Sequence, residues 1–505
     1  MRTTLHLKVL LIYLLIINIY NYSSAQCTGT RSTASINWDY QYYNNSVLPS
    51  SGINFMIGKN TLRLTWSGAT FNGVVNEHTG QTGNDVRFSV RNGSVTFTFT
   101  NPVENLQFYV NDIDNRQTIY PRAYDDLGLP LIVNVVRITG SAGTLGGSGT
   151  IAPSYYNSGS YGTSNNGAGV RITVPGMTET MVLNFTKSTS GSDPIYISDI
   201  SACTDATWAT DYQAISAPET GQPTHMLIAY DSIIYVVNKL DNTAMELYAD
   251  PSVNRLNTMA YDPYNQVIYY CDSRRVSTNL SVYKYDVKTG VKSTFINNVN
   301  TFGIQTFTNG LSTSGASFYD GYLFIGTDSD LNPNTPTAIY RIDINPTTGA
   351  PIRASRFWGA NSAVSTGSGT DILYDWGDFV LNDGVLYNFN GASDAAAGTE
   401  MQHFDLNSQT RLAGYSYSPD TLAQASLDYE GNIFGIRNGF YYQQYNPTNG
   451  TFGARNYYSG IPTTRALTME QNPLNIRMTM EMHRLYGYAS HVFRVSPNLM
   501  IGSGC

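Results

Sequence analysis

The sequence predicts an all-β protein, a jelly-roll-like β-sandwich followed by a β-propeller of about six blades. Three observations predict it. Apolar and polar residues alternate with period 2 in many short runs, turn residues punctuate those runs, and no segment sustains a helical period. Composition agrees: 38 Tyr and 45 Gly among 505 residues suit strands and tight turns, and 41% apolar residues can fill real cores. The formal charge is −8. A field of that sign repels phosphate backbones, so nucleic acid is excluded as the expected partner.

The chain opens with Arg2 and Lys8, then an apolar run from Val9 to Tyr20, then Ser23-Ser24-Ala25. This order predicts a signal peptide over 1–25, cleaved after Ala25. The run is shorter than the roughly 20 apolar residues a membrane helix needs. No later segment is apolar enough to span, so the mature chain is expected outside the membrane, secreted or on the cell surface. An exported chain meets an oxidising compartment, where Cys27, Cys203, Cys271 and Cys505 suggest two disulfides with three possible connectivities. A Cys27–Cys203 bond would clasp the two ends of one domain. Cys271 and Cys505 are then the remaining pair, unless they stay reduced or pair between molecules.

The sandwich is expected over 26–203. In SVTFTFT, Val95, Phe97 and Phe99 point one way and Thr96, Thr98 and Thr100 the other. ENLQFYVND repeats the pattern through Leu106, Phe108 and Val110. Asn101-Pro102 between these runs is turn chemistry, and Asn92-Gly93 reads as a hairpin turn. Further strands are expected at 131–139, 170–174, 181–185 and 195–201. The Gly/Ser/Tyr/Asn-rich stretch 140–169 reads as one long loop or ragged hairpin. Its Tyr155, Tyr156 and Tyr161 are candidate ligand contacts, because tyrosine offers a flat apolar face and a hydroxyl to sugar rings or protein surfaces. In NDIDN, Asp112 and Asp114 share a face if the strand continues, a possible Ca²⁺ pair; the alternative is a strand-end turn capped by Asp side chains.

A linker is expected over 204–223, marked by Ala217-Pro218 and Gly221-Gln222-Pro223. From 224 to 505 the chain repeats itself. One element is a strand, an acidic turn and a second strand: AYDSIIYVV, AYDPYNQVIYY, FYDGYLFIG, LNDGVLYNF, LDYEGNIFGI and MEMHRLYGY. After each copy comes an aromatic-containing strand, most running into a turn, as in VYKYDVKTG and IYRIDINPTTG. The matched turn positions are Asp286, Asp343, Asp405, Asn446 and Ser496. Four antiparallel strands cannot bury both faces alone, and radial stacking of such sheets solves that. Six copies suggest six blades, with five or seven within error.

With these runs in view, FTFTNPVENLQFYVNDID and YISDISAC resemble the N-terminal sandwich of secreted surface proteins from Bacteroidetes-like bacteria. The YDxxTG and DGxLY repeats resemble the propeller-like module of bacterial cell-surface and adhesin-type proteins. That resemblance implies an interaction role and brings no catalytic fingerprint with it.

Two stretches of the repeat region suggest chemistry. TDSDLNPN sets Asp328, Asp330 and Asn332 at alternating positions, like the start of a calcium loop, but Pro333 and Ile339 stand where that loop needs Gly and an acid. GTDILYDWGD puts Trp376 beside Asp371, Asp375 and Asp378, a candidate sugar platform. No nucleophile elbow, Walker motif or metal-spaced histidine pair occurs. The expected function is therefore a secreted, non-catalytic binding or adhesion protein for extracellular glycan or protein, with Ca²⁺ as its one conceivable cofactor. The alternative is a secreted glycoside hydrolase or lyase with its site in the propeller.

Overall fold

The computed structural model describes residues 27–41, 52–75, 84–138, 143–159, 168–208, 225–230, 232–253, 256–272, 280–304, 312–328, 337–360, 378–390, 399–417, 424–427, 432–437, 441–457 and 459. Apart from one 3-10 turn, Trp38–Tyr40, every regular element among them is a β-strand. They fall into two compact units. The first takes 27–36, 57–71 and 75–207; the second takes 37–56, 72–74 and everything from Trp208 onward.

In the first unit, strand Thr178–Lys187 is flanked by the 93–98 stretch and by strand Gln117–Tyr124, both antiparallel. Strand Val170–Val174 is flanked by 106–110 and by Asn134–Arg137. The chain from Asp85 to Asn111 serves both sets. Fully extended, Phe97 and Phe108 would stand roughly 36 Å apart, yet their rings lie 5.2 Å apart. The chain must turn between them. It does so where the ladder with Thr178–Lys187 jumps from Thr98 to Val103, skipping Asn101-Pro102. A proline has no N–H to give a ladder, so the corner falls there.

One expectation needs correction here. Asn92-Gly93 makes no hairpin turn. Gly93 sits inside the strand, where a Cβ would fall 2.5 Å from the Ser67 carbonyl oxygen, so glycine serves close backbone approach. Of the two readings of 140–169, the described residues form the hairpin and not the loop. Ser154–Asn157 is a strand paired with 117–119 and with Thr144–Gly146. The expected Cys27–Cys203 bond is present. It ties the start of strand Ser32–Ile36 to strand Ile200–Thr204, its antiparallel neighbour.

The second unit contains five successive antiparallel sheets among the described residues. They run over 225–249, 256–296, 312–360, 378–417 and 424–457. The first five copies of the repeated strand–turn–strand pattern form the first hairpin of each sheet. Asp320-Gly321 and Asp383-Gly384 take positive φ at both residues, as a tight hairpin requires. The second repeated turn is equally regular. Asp286, Asn345, Asp405 and Asn446 each accept backbone N–H bonds through their own side chains, and the residue four further on returns its N–H to their carbonyl. The third-sheet turn residue is thus Asn345, not Asp343.

Neighbouring sheets bury their faces against each other. Separate apolar clusters join first to second, second to third, third to fourth and fourth to fifth. The fifth sheet also meets the first. The Tyr442 hydroxyl donates to Asn242 Oδ1 at 2.9 Å, Lys239 lies over the Phe434 ring, and Ser459 bridges to Thr243 beside the first sheet's third strand. This radial succession is a β-propeller arrangement. The sixth copy, 480–498, lies outside the described residues.

One turn departs from the repeat. Three of the four outer turns place Gly at their positive-φ position (Gly290, Gly349, Gly450), whereas the fourth sheet has Gln409 at φ 53. A non-glycine there is strained, and its side chain shows the use. Gln409 Nε2 donates to the Met56 carbonyl at 2.6 Å, and its Oε1 accepts from Gln41 Nε2 and the Asn37 N–H. Gln41 also donates to the Phe357 carbonyl at 2.7 Å, and Tyr40 stacks on Trp358 at 4.1 Å. The stretch 37–56, far upstream of the first repeat, is thereby part of the second unit, as is Trp208, which donates to Asn407 Oδ1 at 2.7 Å.

Candidate binding surface

The Gln117–Tyr124 strand alternates strictly. Gln117, Ile119, Pro121 and Ala123 are buried, while Thr118, Tyr120, Arg122 and Tyr124 face outward and are partly exposed. Register extends this outer face across neighbouring strands. Tyr124 lies beside Thr180 and then Thr98; Arg122 beside Val182 and Thr96; Tyr120 beside Asn184 and Ser94. Thr118 lies beside Thr186 on one side and beside Tyr156, then Thr144, on the other.

The two described candidate tyrosines part ways in this register. Tyr156 is 39% exposed on the outer face, whereas Tyr155 is fully buried and turned into the core. Period 2 alone separates them, and reading the stretch as a loop hid it. Sequence reasoning also passed over Tyr120 and Tyr124, although the alternation in QTIYPRAY was available to find them. Tyr161 and Trp376 lie outside the described residues, as do Asp371 and Asp375.

An apolar rim adjoins this face. Leu131 and Pro130 pair with Ala123 and Tyr124, and the Val133–Thr150 bridge sets Ile132 against Ile151. Leu127, Leu129, Ile132 and Ile151 are 78%, 57%, 52% and 49% exposed. Large apolar side chains normally show singly on a surface; several on adjoining turns mark an interaction surface.

The acid pairs expected to hold Ca²⁺ behave differently. The strand ends at Asn111, and Asp112 takes φ 61, so the alternation that would align it with Asp114 stops there. Burial, then the nearby charges of Asp114 and Asp193, push the Asp112 carboxyl up to about 7, with Arg87 pulling the other way. Arg87 lies near Asp112 and Lys187 pairs with Asp193, and no group of three or more His, Cys, Asp or Glu arranged for a metal occurs among the described residues. Asp328 ends the second strand of the third sheet, while Asp330 and Asn332 lie outside the described residues. Cys271 is buried in the core between the second and third sheets, and its expected partner Cys505 is outside the described residues.

Inside the propeller, His403 is buried between the fourth and fifth sheets, its Nε2 2.9 Å from the Tyr445 hydroxyl. Burial pushes its pKa down to about 4. The unfolded chain, near 6.5, then binds a proton first as pH falls. Full stability from this site is therefore expected above about pH 6.5, with up to roughly 3 kcal/mol lost by pH 4. Urea unfolding of wild type and His403→Gln at pH 7.5 and 4.5 checks this: the difference between the two proteins should shrink at the lower pH.

No helix among the described residues is long and apolar enough to cross a membrane. No protein-family profile matches the chain, and no curated protein matches it. Solved structures similar in part are a chain of the Mitotic Checkpoint Complex (11% identical, 48% of this chain and 59% of that one, TM-score 0.24), the WD40 β-propeller domain of Doa1 (12%, 48% and 80%, 0.27), and TolB from Acinetobacter baumannii (13%, 50% and 57%, 0.29). The chain thus spans well under two thirds of the first of these, and the likenesses carry no argument about function.

Proposed function

We propose that this chain is an exported, non-catalytic binding protein of the adhesion type, a β-sandwich and a β-propeller in one chain, holding extracellular glycan or protein through the sandwich. The observation that carries this reading is the rim of Leu127, Leu129, Ile132 and Ile151 beside the Tyr156 face. Leaving such side chains in water costs solubility, and a partner that covers them repays it. The leader and the bacterial surface resemblance supply the extracellular setting.

The test is retention of the purified mature chain on immobilised polysaccharides and extracellular matrix proteins, against a Leu127→Asp/Ile132→Asp variant. Both sites are exposed, so the melting temperature should hold. Retention of the wild type on at least one surface, weakened about tenfold or more in the variant, is the expected result (about 1.4 kcal/mol). Release of soluble sugar products without a retained complex would instead point to the hydrolase or lyase.

A further inference from the structure

This inference rests on the binding reading above and narrows its ligand. We propose that the outer face built on Gln117–Tyr124 is a platform for an extended, neutral polysaccharide, with Tyr156, Tyr120 and Tyr124 as its stacking residues.

The geometry comes from the register. Tyr120 and Tyr124 stand on one strand four residues apart, roughly 13 Å. Tyr156 lies opposite Thr118, which makes it the diagonal neighbour of Tyr120 at roughly 7 Å. The three rings therefore form a row roughly 20 Å long, on one face of one sheet. A single monosaccharide would meet one ring; an extended chain meets all three. The axial C–H side of a sugar ring is apolar and its rim is hydroxylated, which matches a phenol ring edged by hydrogen-bonding groups. Those groups are in place: Thr96, Thr98, Thr180, Thr118, Thr186 and Asn184 lie in the same cross-strand rows.

Charge decides the class of sugar. Within these paired rows Arg122 is the one charged side chain, and its Nη1 already donates to the Pro121 and Pro153 carbonyls at 2.7 and 2.9 Å. A lone guanidinium among threonines is too little counter-charge for an acidic polysaccharide with one carboxylate per sugar, and a basic peptide finds no carboxylate in these rows. A protein partner matched to an apolar surface would find it at the leucine and isoleucine rim, not among threonines. Hydroxyls, an amide and tyrosines without net charge complement a neutral glycan.

The experiment is affinity electrophoresis of the intact mature chain in gels carrying a soluble mixed-linkage β-glucan, a glucomannan or polygalacturonate. Single Tyr120→Ala, Tyr124→Ala and Tyr156→Ala variants run beside wild type, with the matching Tyr→Phe variants and melting curves as folding controls. A neutral polysaccharide should retard the wild type. Each alanine should weaken that binding by about tenfold, and phenylalanine much less, since the ring face carries the contact. A disaccharide of the same linkage should compete poorly, because it cannot span the row. EDTA should change nothing.

Tighter retardation by polygalacturonate overturns the proposal, as does neutral-glycan binding that survives all three alanines in a folded protein. If no polysaccharide retards the chain while an extracellular protein binds and the Leu127→Asp/Ile132→Asp variant releases it, this proposal fails and the wider binding reading stands. If the chain holds neither, both fail.

Discussion

Trp358→Ala is expected to destabilise the second unit by about 3–5 kcal/mol. The side chain is fully buried and lies on the last strand of the third sheet. Its ring packs at 4.2 Å on Phe404 of the fourth sheet and at 4.1 Å on Tyr40. Phe324, Ile339, Phe379, Leu386 and Met56 belong to the same cluster. Removing an indole there leaves a cavity that two rigid sheets cannot collapse to fill, so the loss exceeds the transfer energy of the missing atoms. For a unit of this size, each kcal/mol lowers the melting temperature by about 2–4 °C. Calorimetry checks this, and a shift under about 2 °C would mean that the third and fourth sheets do not share a core. Tyr40→Ala should act in the same direction with a smaller shift, since Tyr40 is only partly buried.

The second large effect concerns the disulfide. Breaking Cys27–Cys203 by Cys27→Ser/Cys203→Ser is expected to cost about 2–5 kcal/mol, toward the upper end. The bond links residues 176 apart in sequence. In the chain-entropy account a long closed loop restricts the unfolded ensemble most. Without it, Ser32–Ile36 keeps its ladder to Ile200–Thr204, and Thr28 keeps its bonds to Glu104, so the native contacts change little. Denaturant unfolding with and without reductant measures the difference. Equal midpoints for the oxidised and reduced wild type would show that the bond does not form in solution.

The sequence was most legible where one residue type answers one local demand. Asp-Gly at 320–321 and 383–384 names a turn in which both residues need positive φ. Thr-x-Gly endings such as Thr448-Asn449-Gly450 name the outer turn. The clasp between Cys27 and Cys203 was legible because both lie at the edges of one alternating region. Legibility failed where a residue serves a distant neighbour. Gly93 looked like a turn residue because nothing local tells that Ser67 and Gly68 press on it. Tyr155 and Tyr156 looked equivalent until the strand's register sent one inward and the other out. Nothing in the repeat tells why Gln409 stands where the other outer turns have glycine; its contacts with Asn37, Gln41 and Met56 do.

The amino-acid order alone determined the strand content and the repeated hairpins of the second half, since period 2 and turn chemistry act over a few residues. Tertiary structure decided which tyrosines share an outer face, which sheets bury against one another and to which unit residues 37–56 belong. Those outcomes depend on residues tens to hundreds of positions apart filling one space, and packing of that kind leaves no periodic trace in the chain.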